Sequence, residues 1–408
     1  MALKKAASVN TESTRRPTAA PAKPVKRTRR TLQRKAGRKG SRVRKLLRAT
    51  TNSAPDELRD RLAEQVIGQD DALDAITSSW ARLLSGLRDP ERPLLTALLM
   101  GPTGVGKTET ARALAAALFG DDRALHRINC EEYAHGHEVA KLLGSPPGYV
   151  GADIEPLLSQ RRIDKPHFER REVDPEAEVQ NQGSALIDSV HDPEHGLHSI
   201  LLFDEVEKAH PTLWNALLGI LDDGRVTLGN NATTDLRRSV ILMTTNVGSR
   251  EMGAAVGRVP LGFASTGEEG QAEDLAAIAQ HAAREVFPAE FLNRFDQTLV
   301  YRPLAPEDLG LIFDKFLAAV NQRAHAQAGV PLLIKASAKA KALVIERGTE
   351  PALGARPLRR AIERLIVDPV SQLLAGAAIG AGDVIEVEAE GDDLAFYRLP
   401  RSADTIVA

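Results

Sequence analysis

The stretch over residues 101–108, GPTGVGKT, matches the phosphate-loop pattern G-x-x-x-x-G-K-[ST] at every fixed position. An apolar stretch over 93–100 precedes it and an Ala/Leu-rich stretch over 109–119 follows, which predicts a strand, the loop and a helix. Glycines let backbone N–H groups surround phosphate oxygens, and the helix N-terminus adds partial positive charge. The predicted nucleotide-binding residues here are Gly101, Pro102, Thr103, Gly104, Val105, Gly106, Lys107, Thr108 and Glu109.

Two side chains of this loop are expected to carry chemistry. Lys107 is predicted to reach the β- and γ-phosphates, and the Thr108 hydroxyl to hold Mg²⁺. ATP and Mg²⁺ are therefore the predicted substrate and cofactor. The alternative, a glycine-rich turn without a ligand, is disfavoured because both flanks match the expected strand and helix.

Composition excludes several classes of protein. The 408 residues include one cysteine, Cys130, so a disulfide framework and a cysteine-based zinc module are excluded. No apolar run approaches the roughly 20 residues of a membrane span, and no apolar segment of a secretory signal appears near the N-terminus. These features predict a cytoplasmic protein with no membrane partner.

Charge divides the chain into a basic tail and an acidic body. Residues 1–50 contain 17 Lys and Arg and one acid, Glu12, whereas the rest contains 36 basic and 54 acidic residues. The Pro-, Thr- and Arg-rich segment 1–52 has too little apolar surface to offset the entropy of ordering, which predicts a disordered basic tail. Its role stays open between a solvated tail, contact with a nucleic acid or another acidic partner, and a transit peptide.

The pattern of apolar segments predicts two folded domains. From residue 94 to 301 strands alternate with helical stretches, which indicates an α/β fold with a parallel sheet and flanking helices. After Pro303 the pattern is mostly helical, with short strand candidates at 332–334, 383–387 and 395–398. We therefore expect a large α/β domain over 53–302 and a smaller, mainly helical domain over 303–408.

Two predicted strands end in polar side chains. The strand over 199–203 runs into Asp204 and Glu205, and the strand over 239–246 ends in Asn246. Acids buried at a strand end are costly unless a cation or hydrogen-bond donors satisfy them, which favours a functional role. Beside a phosphate loop, Asp204 is expected to orient the Mg²⁺ shell, and Glu205 to act as the general base on the attacking water. Asn246 lies where open α/β sheets bind ligands.

Two arginines in the second half of the chain can fork onto phosphate oxygens. Arg294 is predicted at a helix end beside apolar residues, and Arg356 just before a helix whose first turn suits Pro357. Each of them alone is more simply explained as a member of a surface salt bridge.

In this order, the segments resemble the AAA+ ATPases, and specifically the second ATPase module of the Clp/ClpB unfoldase chaperones. The resemblance covers roughly residues 55–400 and rests on the segments 66–69, 101–108, 202–211, 221–225, 244–249, 291–296 and 354–358. It implies an AAA+ sheet with a lid domain over 303–408, and it implies that Ile67 and Gly68 lie beside the adenine. The catalytic residues that it implies are Lys107, Asp204, Glu205, Asn246, Arg294 and Arg356.

The resemblance also implies an assembly. It makes Arg294 an arginine finger that acts on the nucleotide of the neighbouring subunit, and Arg356 a residue that reports the nucleotide state from the lid. An arginine finger is worth about 10³–10⁵ in kcat in GTPases. A ring, expected to be a homo-hexamer, is therefore a condition for fast hydrolysis.

Two further segments resemble parts of the family that contact proteins. Residues 144–151 resemble the central pore loop, so that Tyr149 and Val150 form an apolar paddle that grips polypeptide. Residues Leu261, Gly262 and Phe263 resemble the tripeptide that docks on the ClpP peptidase. An ordinary apolar loop stays open as the alternative for this tripeptide.

The chain departs from the family between the pore loop and Asp204. Residues 152–198 are longer than the family's link, which predicts an inserted loop for partners or for regulation. His191, His195 and His198 within it have metal-like spacing, with a polar surface turn as the alternative. Because the resemblance covers one ATPase module, we expect a single-ring machine.

The resemblance implies an ATP-dependent protein unfoldase or disaggregase of the Clp type, involved in protein quality control, proteolysis and the stress response. The implied partners are copies of itself, unfolded or aggregated proteins and a ClpP-like peptidase. Two alternatives stay open: an AAA+ remodeller tethered to nucleic acid by the basic tail, and a regulatory ATPase that does not thread polypeptide and for which Tyr149 is dispensable.

Overall fold

The computed structural model describes residues 54–149, 151–165, 196–256, 268–328, 332–350, 354–380 and 382–399. The strands in these ranges are β1 (Leu95–Met100), β2 (Leu125–Asn129), β3 (Ser199–Asp204), β4 (Arg225–Thr227), β5 (Thr233–Asp235), β6 (Ser239–Thr245), β7 (Gln297–Val300), β8 (Leu333–Ala336), β9 (Val384–Glu390) and β10 (Asp393–Leu399).

Within the same ranges, the α-helices of the large domain are α1 (Ala54–Ala63), α2 (Asp70–Leu84), α3 (Lys107–Phe119), α4 (Val139–Leu143), α5 (Gln160–Ile163), α6 (Pro211–Asp223), α7 (Ser249–Val256), α8 (Glu268–Val286) and α9 (Ala289–Leu292). Those that follow are α10 (Pro306–Ala328), α11 (Ala338–Arg347), α12 (Arg356–Ile362) and α13 (Asp368–Ala375), with a π-helical segment, Glu363–Val367, between the last two.

A five-stranded parallel sheet forms the centre of the large domain, in the order β2-β3-β6-β1-β7. Its central strands β1, β3 and β6 are buried along their whole length. Such near-continuous apolar runs are typical of strands that helices cover on both faces. The predicted α/β fold with a parallel sheet and flanking helices is confirmed.

Alternate residues of each central strand point into two different cores. On β1, Leu95, Ala97 and Leu99 pack with residues of α1, α2 and α3. Leu98 and Met100 face the opposite way and pack with residues of α6 and α8. This two-layer packing holds the carboxyl ends of the central strands at one edge, where ligands bind in open α/β sheets.

The second domain has its own core and a small sheet. Phe313 on α10, Val344 on α11, Leu358 on α12 and Ile366 pack together with Ile385 on β9, and all are buried. The sheet has the order β10-β9-β8, with β8 parallel and β10 antiparallel to β9. A mainly helical lid with a few short strands was expected here, and this part of the predicted architecture is also confirmed.

The beginning of the predicted insertion is folded into the large domain. Leu158 and Ile163 are buried in the same core as β3 and α6. Asp164 lies beside His198, with 3.4 Å between Oδ1 and Nδ1. The described residues on the two sides of the gap between 165 and 196 are therefore close in space. Within the described ranges, no helix is long and apolar enough to cross a membrane.

Candidate nucleotide-binding site

A cavity of about 620 Å³ lies at the carboxyl edge of the central sheet, between the phosphate loop and the lid. Most of the residues singled out from the sequence line it together. They are Ile67, Thr103, Gly104, Val105, Gly106, Lys107, Thr108, Glu109, Asp204, Glu205, Asn246 and Arg356. The neighbouring strands β3, β6 and β1 bring Asp204, Glu205, Asn246 and the phosphate loop together, because each of these strands ends at this edge. Ile67, just before α2, and Arg356, at the start of α12, reach the cavity from outside the sheet.

Backbone conformation explains the glycines of the loop. Gly101 and Gly106 have φ values of 141° and 113°, which L side chains rarely adopt. A Cβ atom on Gly101 would also lie 2.6 Å from the carbonyl oxygen of Tyr301. Gly106 then caps the N-terminus of α3, whose first residue is Lys107. The loop therefore presents the start of a helix, where N–H groups without a helical partner suit an anion.

Lys107 is the buried cation of the site. Its Nζ donates to the carbonyl oxygens of Gly101 at 2.6 Å and Pro102 at 2.7 Å, and to Oδ1 of Asn246 at 2.9 Å. The side chain is almost fully buried, and this desolvation lowers the pKa of Lys107 to about 8 although nearby carboxylates, Glu207 first, oppose the shift. Its charge is thus available to phosphate oxygens at neutral pH.

Hydrogen-bond donors surround the carboxylate group of Asp204. Oδ1 accepts from the hydroxyls of Thr244 at 2.5 Å and Thr108 at 3.3 Å. Oδ2 accepts from Nε of Arg127 at 3.0 Å and from its Nη2 at 2.6 Å. A buried carboxylate requires such compensation, and here two nitrogens of one guanidinium donate charge-assisted hydrogen bonds to the same oxygen. Arg127, on β2, also lines the cavity.

Glu205 lies at a strained position of the backbone and is linked to Asn246. Its φ of 59° is in the left-handed region, which is rare for a residue with a side chain. Asn246 Nδ2 donates to Glu205 Oε1 at 3.0 Å, and Lys208 Nζ lies 2.6 Å from Oε2. Since Asn246 Oδ1 accepts from Lys107, one amide joins the candidate base to the buried cation.

The residues present fit a magnesium ion. The Thr108 hydroxyl and the Asp204 carboxylate lie 3.3 Å apart on the wall of the cavity and offer oxygen atoms, the ligands that Mg²⁺ prefers. Within the described ranges, no group of three or more His, Cys, Asp or Glu side chains could hold a metal ion. His191 and His195 lie outside the described residues.

The second domain contacts the phosphate loop directly. The backbone N–H of Ala355 donates to the carbonyl oxygen of Gly104 at 3.0 Å. Gly354 has a φ of 59°, and a Cβ atom on it would lie 2.7 Å from the backbone of Gly104. Arg356 follows at the start of α12, and its charge contributes to lowering the pKa of Lys107.

Several polar residues of the site had no role assigned from the sequence, among them Gln69, Arg127 and Lys315. Gln69 is buried and donates to the carbonyl oxygens of Val105 and Arg302, at 3.2 and 3.0 Å. Lys315 Nζ on α10 donates to Gln65 O at 2.6 Å and to Glu109 Oε1 at 3.0 Å. Gln69 belongs to the segment 66–69 that resembles the adenine-side motif, so the sequence did indicate its position; no sequence motif indicated Arg127 or Lys315.

Other singled-out residues lie elsewhere. Gly68 does not line the cavity, but its carbonyl oxygen accepts from Arg302 Nε at 2.8 Å. Arg294 is outside the cavity, 2.7 Å from Asp222 and 3.6 Å from Glu290, and partly exposed. Tyr149 is 71% exposed. Val150, the tripeptide 261–263 and the tail 1–52 lie outside the described residues.

Comparison with known protein families fits this geometry. Residues 92–168 and 167–298 match the AAA domain (Cdc48 subfamily), and residues 304–387 match the C-terminal D2-small domain of ClpB protein. The chain belongs to the Clp/ClpB family of AAA+ ATPases. The resemblance that the sequence motifs carried is thereby confirmed.

Two curated relatives illustrate the extent of the match to this Clp-type chain. The ATP-dependent Clp protease ATP-binding subunit ClpC of Staphylococcus aureus (strain USA300) is 35% identical over 351 residues, which are 85% of this chain and 38% of that protein. Chaperone protein ClpB of Rhizobium meliloti (strain 1021) is 35% identical over 341 residues, 84% of this chain and 34% of ClpB. The Clp-type chain thus spans little more than a third of their length.

The buried Lys107 makes stability depend on pH. Its pKa is about 8 in the folded chain and 10.5 as its ordinary value, so the unfolded chain binds more protons between these pH values. Stability therefore rises with pH in this window, by about 2 kcal/mol between pH 7.5 and 9.5. We expect this gain in the difference between wild type and Lys107→Met, measured by urea unfolding. Parallel pH profiles of the two proteins would contradict the burial of a charge at this position.

Proposed function

We propose that this chain is an ATP-dependent protein unfoldase or disaggregase that works as a ring and threads polypeptide through its centre. The observation that carries the proposal is the bridge from Lys107 through Asn246 to Glu205 on the wall of one cavity. The side-chain amide of Asn246 thereby joins Lys107, a cation suited to phosphate oxygens, to Glu205, a carboxylate suited to accepting a proton from water. Membership of the Clp/ClpB family supports the same reading.

The proposed reaction is attack of water on the γ-phosphate of ATP. Glu205 accepts the proton of the water, and Asn246 holds the carboxylate in place through its Nδ2. Lys107 stays charged at neutral pH and stabilises the negative charge on the phosphate oxygens. Thr108 and Asp204 would hold Mg²⁺, which when bound neutralises charge on the phosphates. Ile67 and Gly68 are proposed to lie beside the adenine.

Glu205→Gln tests the assignment of the general base. We expect unchanged binding of ATP and hydrolysis slower by about 10²–10⁴-fold, because an amide cannot accept the proton of the water. Phosphate release and binding of a fluorescent ATP analogue measure the two effects. Glu131→Gln is the matched control, since Glu131 also faces Lys208 (3.5 Å) but is largely exposed. Wild-type turnover in Glu205→Gln would remove Glu205 from this role.

Arg294 is proposed to complete the cavity of a neighbouring subunit. It lies outside the cavity of its own chain, and Asp222 and Glu290 hold its guanidinium at the surface. A guanidinium held outside the cavity of its own chain is in a position to contact a phosphate bound by a neighbouring molecule. A homo-hexameric ring would therefore be the active form.

Arg294→Ala is expected to lower ATP turnover by about 10³-fold or more, as loss of an arginine finger does in GTPases, with nucleotide affinity kept. Wild-type turnover per subunit should also rise with protein concentration as the ring forms. Arg284→Ala, an exposed arginine on α8, is the control and should change neither quantity. Unchanged turnover in Arg294→Ala would mean that another residue acts as the finger.

The lid is proposed to sense the nucleotide through its contacts with the phosphate loop. The backbone N–H of Ala355 donates a hydrogen bond to Gly104, and the next residue, Arg356, lines the same cavity. A phosphate that binds in this cavity would therefore lie next to residues of both domains. We propose that Arg356 contacts the phosphates and that the resulting lid movement drives the threading step.

The loop that carries Tyr149 is proposed to grip the polypeptide. Tyr149 is 71% exposed, and Gly148 and Gly151 on either side of it have φ values of 89° and 86°. An exposed aromatic ring held between such glycines suits contact with extended chains of any sequence. Feeding of a ClpP-like peptidase through the tripeptide 261–263 is proposed from the sequence alone.

Threading is tested with a folded, tagged fluorescent protein in the presence of ATP. Wild type should abolish its fluorescence, whereas Tyr149→Ala should not although it hydrolyses ATP normally. Tyr397→Ala, a half-exposed tyrosine on β10, is the control and should behave as wild type. Equal loss with Tyr149→Ala would contradict threading by this loop. No loss with wild type would contradict the unfoldase proposal and favour the regulatory ATPase or the remodeller tethered by its basic tail.

A further inference from the structure

The hairpin formed by β4 (Arg225–Thr227) and β5 (Thr233–Asp235) lies directly beside the loop that carries Tyr149. The two strands are antiparallel and are joined by residues 228–232. Residues of both the hairpin and the loop line a cavity of about 320 Å³ beside their contact. None of the roles assigned above to the cavity for ATP involves this hairpin.

Gly229, at the tip of the hairpin, contacts the segment that leads into the Tyr149 loop. Its N–H donates to the carbonyl oxygen of Leu143 at 2.8 Å. A Cβ atom on Gly229 would overlap the Gly144 carbonyl group, with 2.7 Å to its carbon, and would lie 2.8 Å from the carbonyl carbon of Ser145. Because these neighbours are backbone atoms, a side chain at position 229 would push hairpin and loop apart.

The other strand of the hairpin holds the segment that leaves the Tyr149 loop. The buried Thr234 hydroxyl donates to the carbonyl oxygen of Leu158 at 2.6 Å. The N–H of Asp235 donates to Oε1 of Gln160 at 2.7 Å. The hairpin thus fixes both ends of the loop, while the Tyr149 ring between them stays exposed.

At its base the hairpin continues from α6, which reaches the site of hydrolysis. Near the start of α6, Trp214 Nε1 donates to the carbonyl oxygen of Val206, the residue after Glu205, at 2.9 Å. Near its end, Asp222 holds Arg294 at 2.7 Å. Gly224 then ends α6, and β4 begins at the next residue. One helix therefore contacts the neighbourhood of the candidate base, the candidate finger and the hairpin.

We propose that the β4–β5 hairpin transmits movement of α6 to the Tyr149 loop, with Gly229 as the positioning residue at the contact. The inference rests on the proposed threading function and names the element that couples it to ATP hydrolysis. Movement is transmitted through elements that are in close packing contact. The contact at Gly229 is this close, because it has no room for an added methyl group.

Gly229→Ala tests the transmission. We expect ATP turnover within about twofold of wild type and unfolding of the fluorescent protein per ATP lower by about tenfold or more, because a small misplacement of a working group is costly. Gly253→Ala is the matched control: Gly253 lies on α7, and a Cβ atom there meets nothing within 4 Å. Unfolding per ATP equal to wild type in a folded Gly229→Ala protein would overturn the proposal.

Thr234→Val keeps the proposal testable if Gly229→Ala does not fold. It preserves the shape of the side chain but removes the hydrogen bond to Leu158, so it should also lower unfolding per ATP while turnover persists. A wild-type ratio of unfolding to turnover in this variant would overturn the proposal.

A second readout separates this inference from the threading proposal. Protease cleavage within residues 145–155 is compared with ADP and with a non-hydrolysable ATP analogue bound. Transmission predicts that the nucleotide changes cleavage in wild type and in Gly253→Ala but not in Gly229→Ala. This result would support the hairpin even if wild type fails to unfold the fluorescent protein. The same nucleotide effect in Gly229→Ala and wild type would overturn the hairpin alone.

Discussion

The buried charge of Lys107 constrains the rest of the site. An ammonium group in this position must find acceptors, and it finds two carbonyl oxygens of its own loop and the amide oxygen of Asn246. The last of these requires β6 beside β1, and the order β3-β6-β1 in turn places Glu205 on the other end of the same amide. The strand order thus brings the buried cation Lys107 and the candidate base Glu205 to the same amide of Asn246.

The lid depends on the same loop. The backbone of Ala355 is hydrogen-bonded to Gly104, and one side chain of the lid adds to this contact, since Lys315 reaches Glu109. Backbone hydrogen bonds of this kind do not depend on the identity of the side chains. A bound phosphate that shifts the loop would therefore displace the lid directly, through this backbone hydrogen bond.

Much of this arrangement could be predicted from the sequence, because the decisive signals are local. The loop pattern predicted the start of α3, and the apolar strand before Asp204 predicted β3 with its acidic end. Arg127 could not be predicted, since its partner Asp204 is 77 positions away and meets it only because β2 pairs with β3. The link from Gln69 to Arg302 spans 233 positions and forms because the chain after β7 lies beside the residue that precedes α2.

The contact between Asp164 and His198 has a consequence for how this chain can vary. The two residues lie on either side of the long intervening segment, so its ends are already held together by the folded domain. The entropy of closing a loop grows only with the logarithm of its length, about 0.6 kcal/mol for each doubling. A change in the length of the chain between these two residues, or insertion of a guest domain there, should thus change stability little, which makes this point suitable for diversification and for engineered fusions.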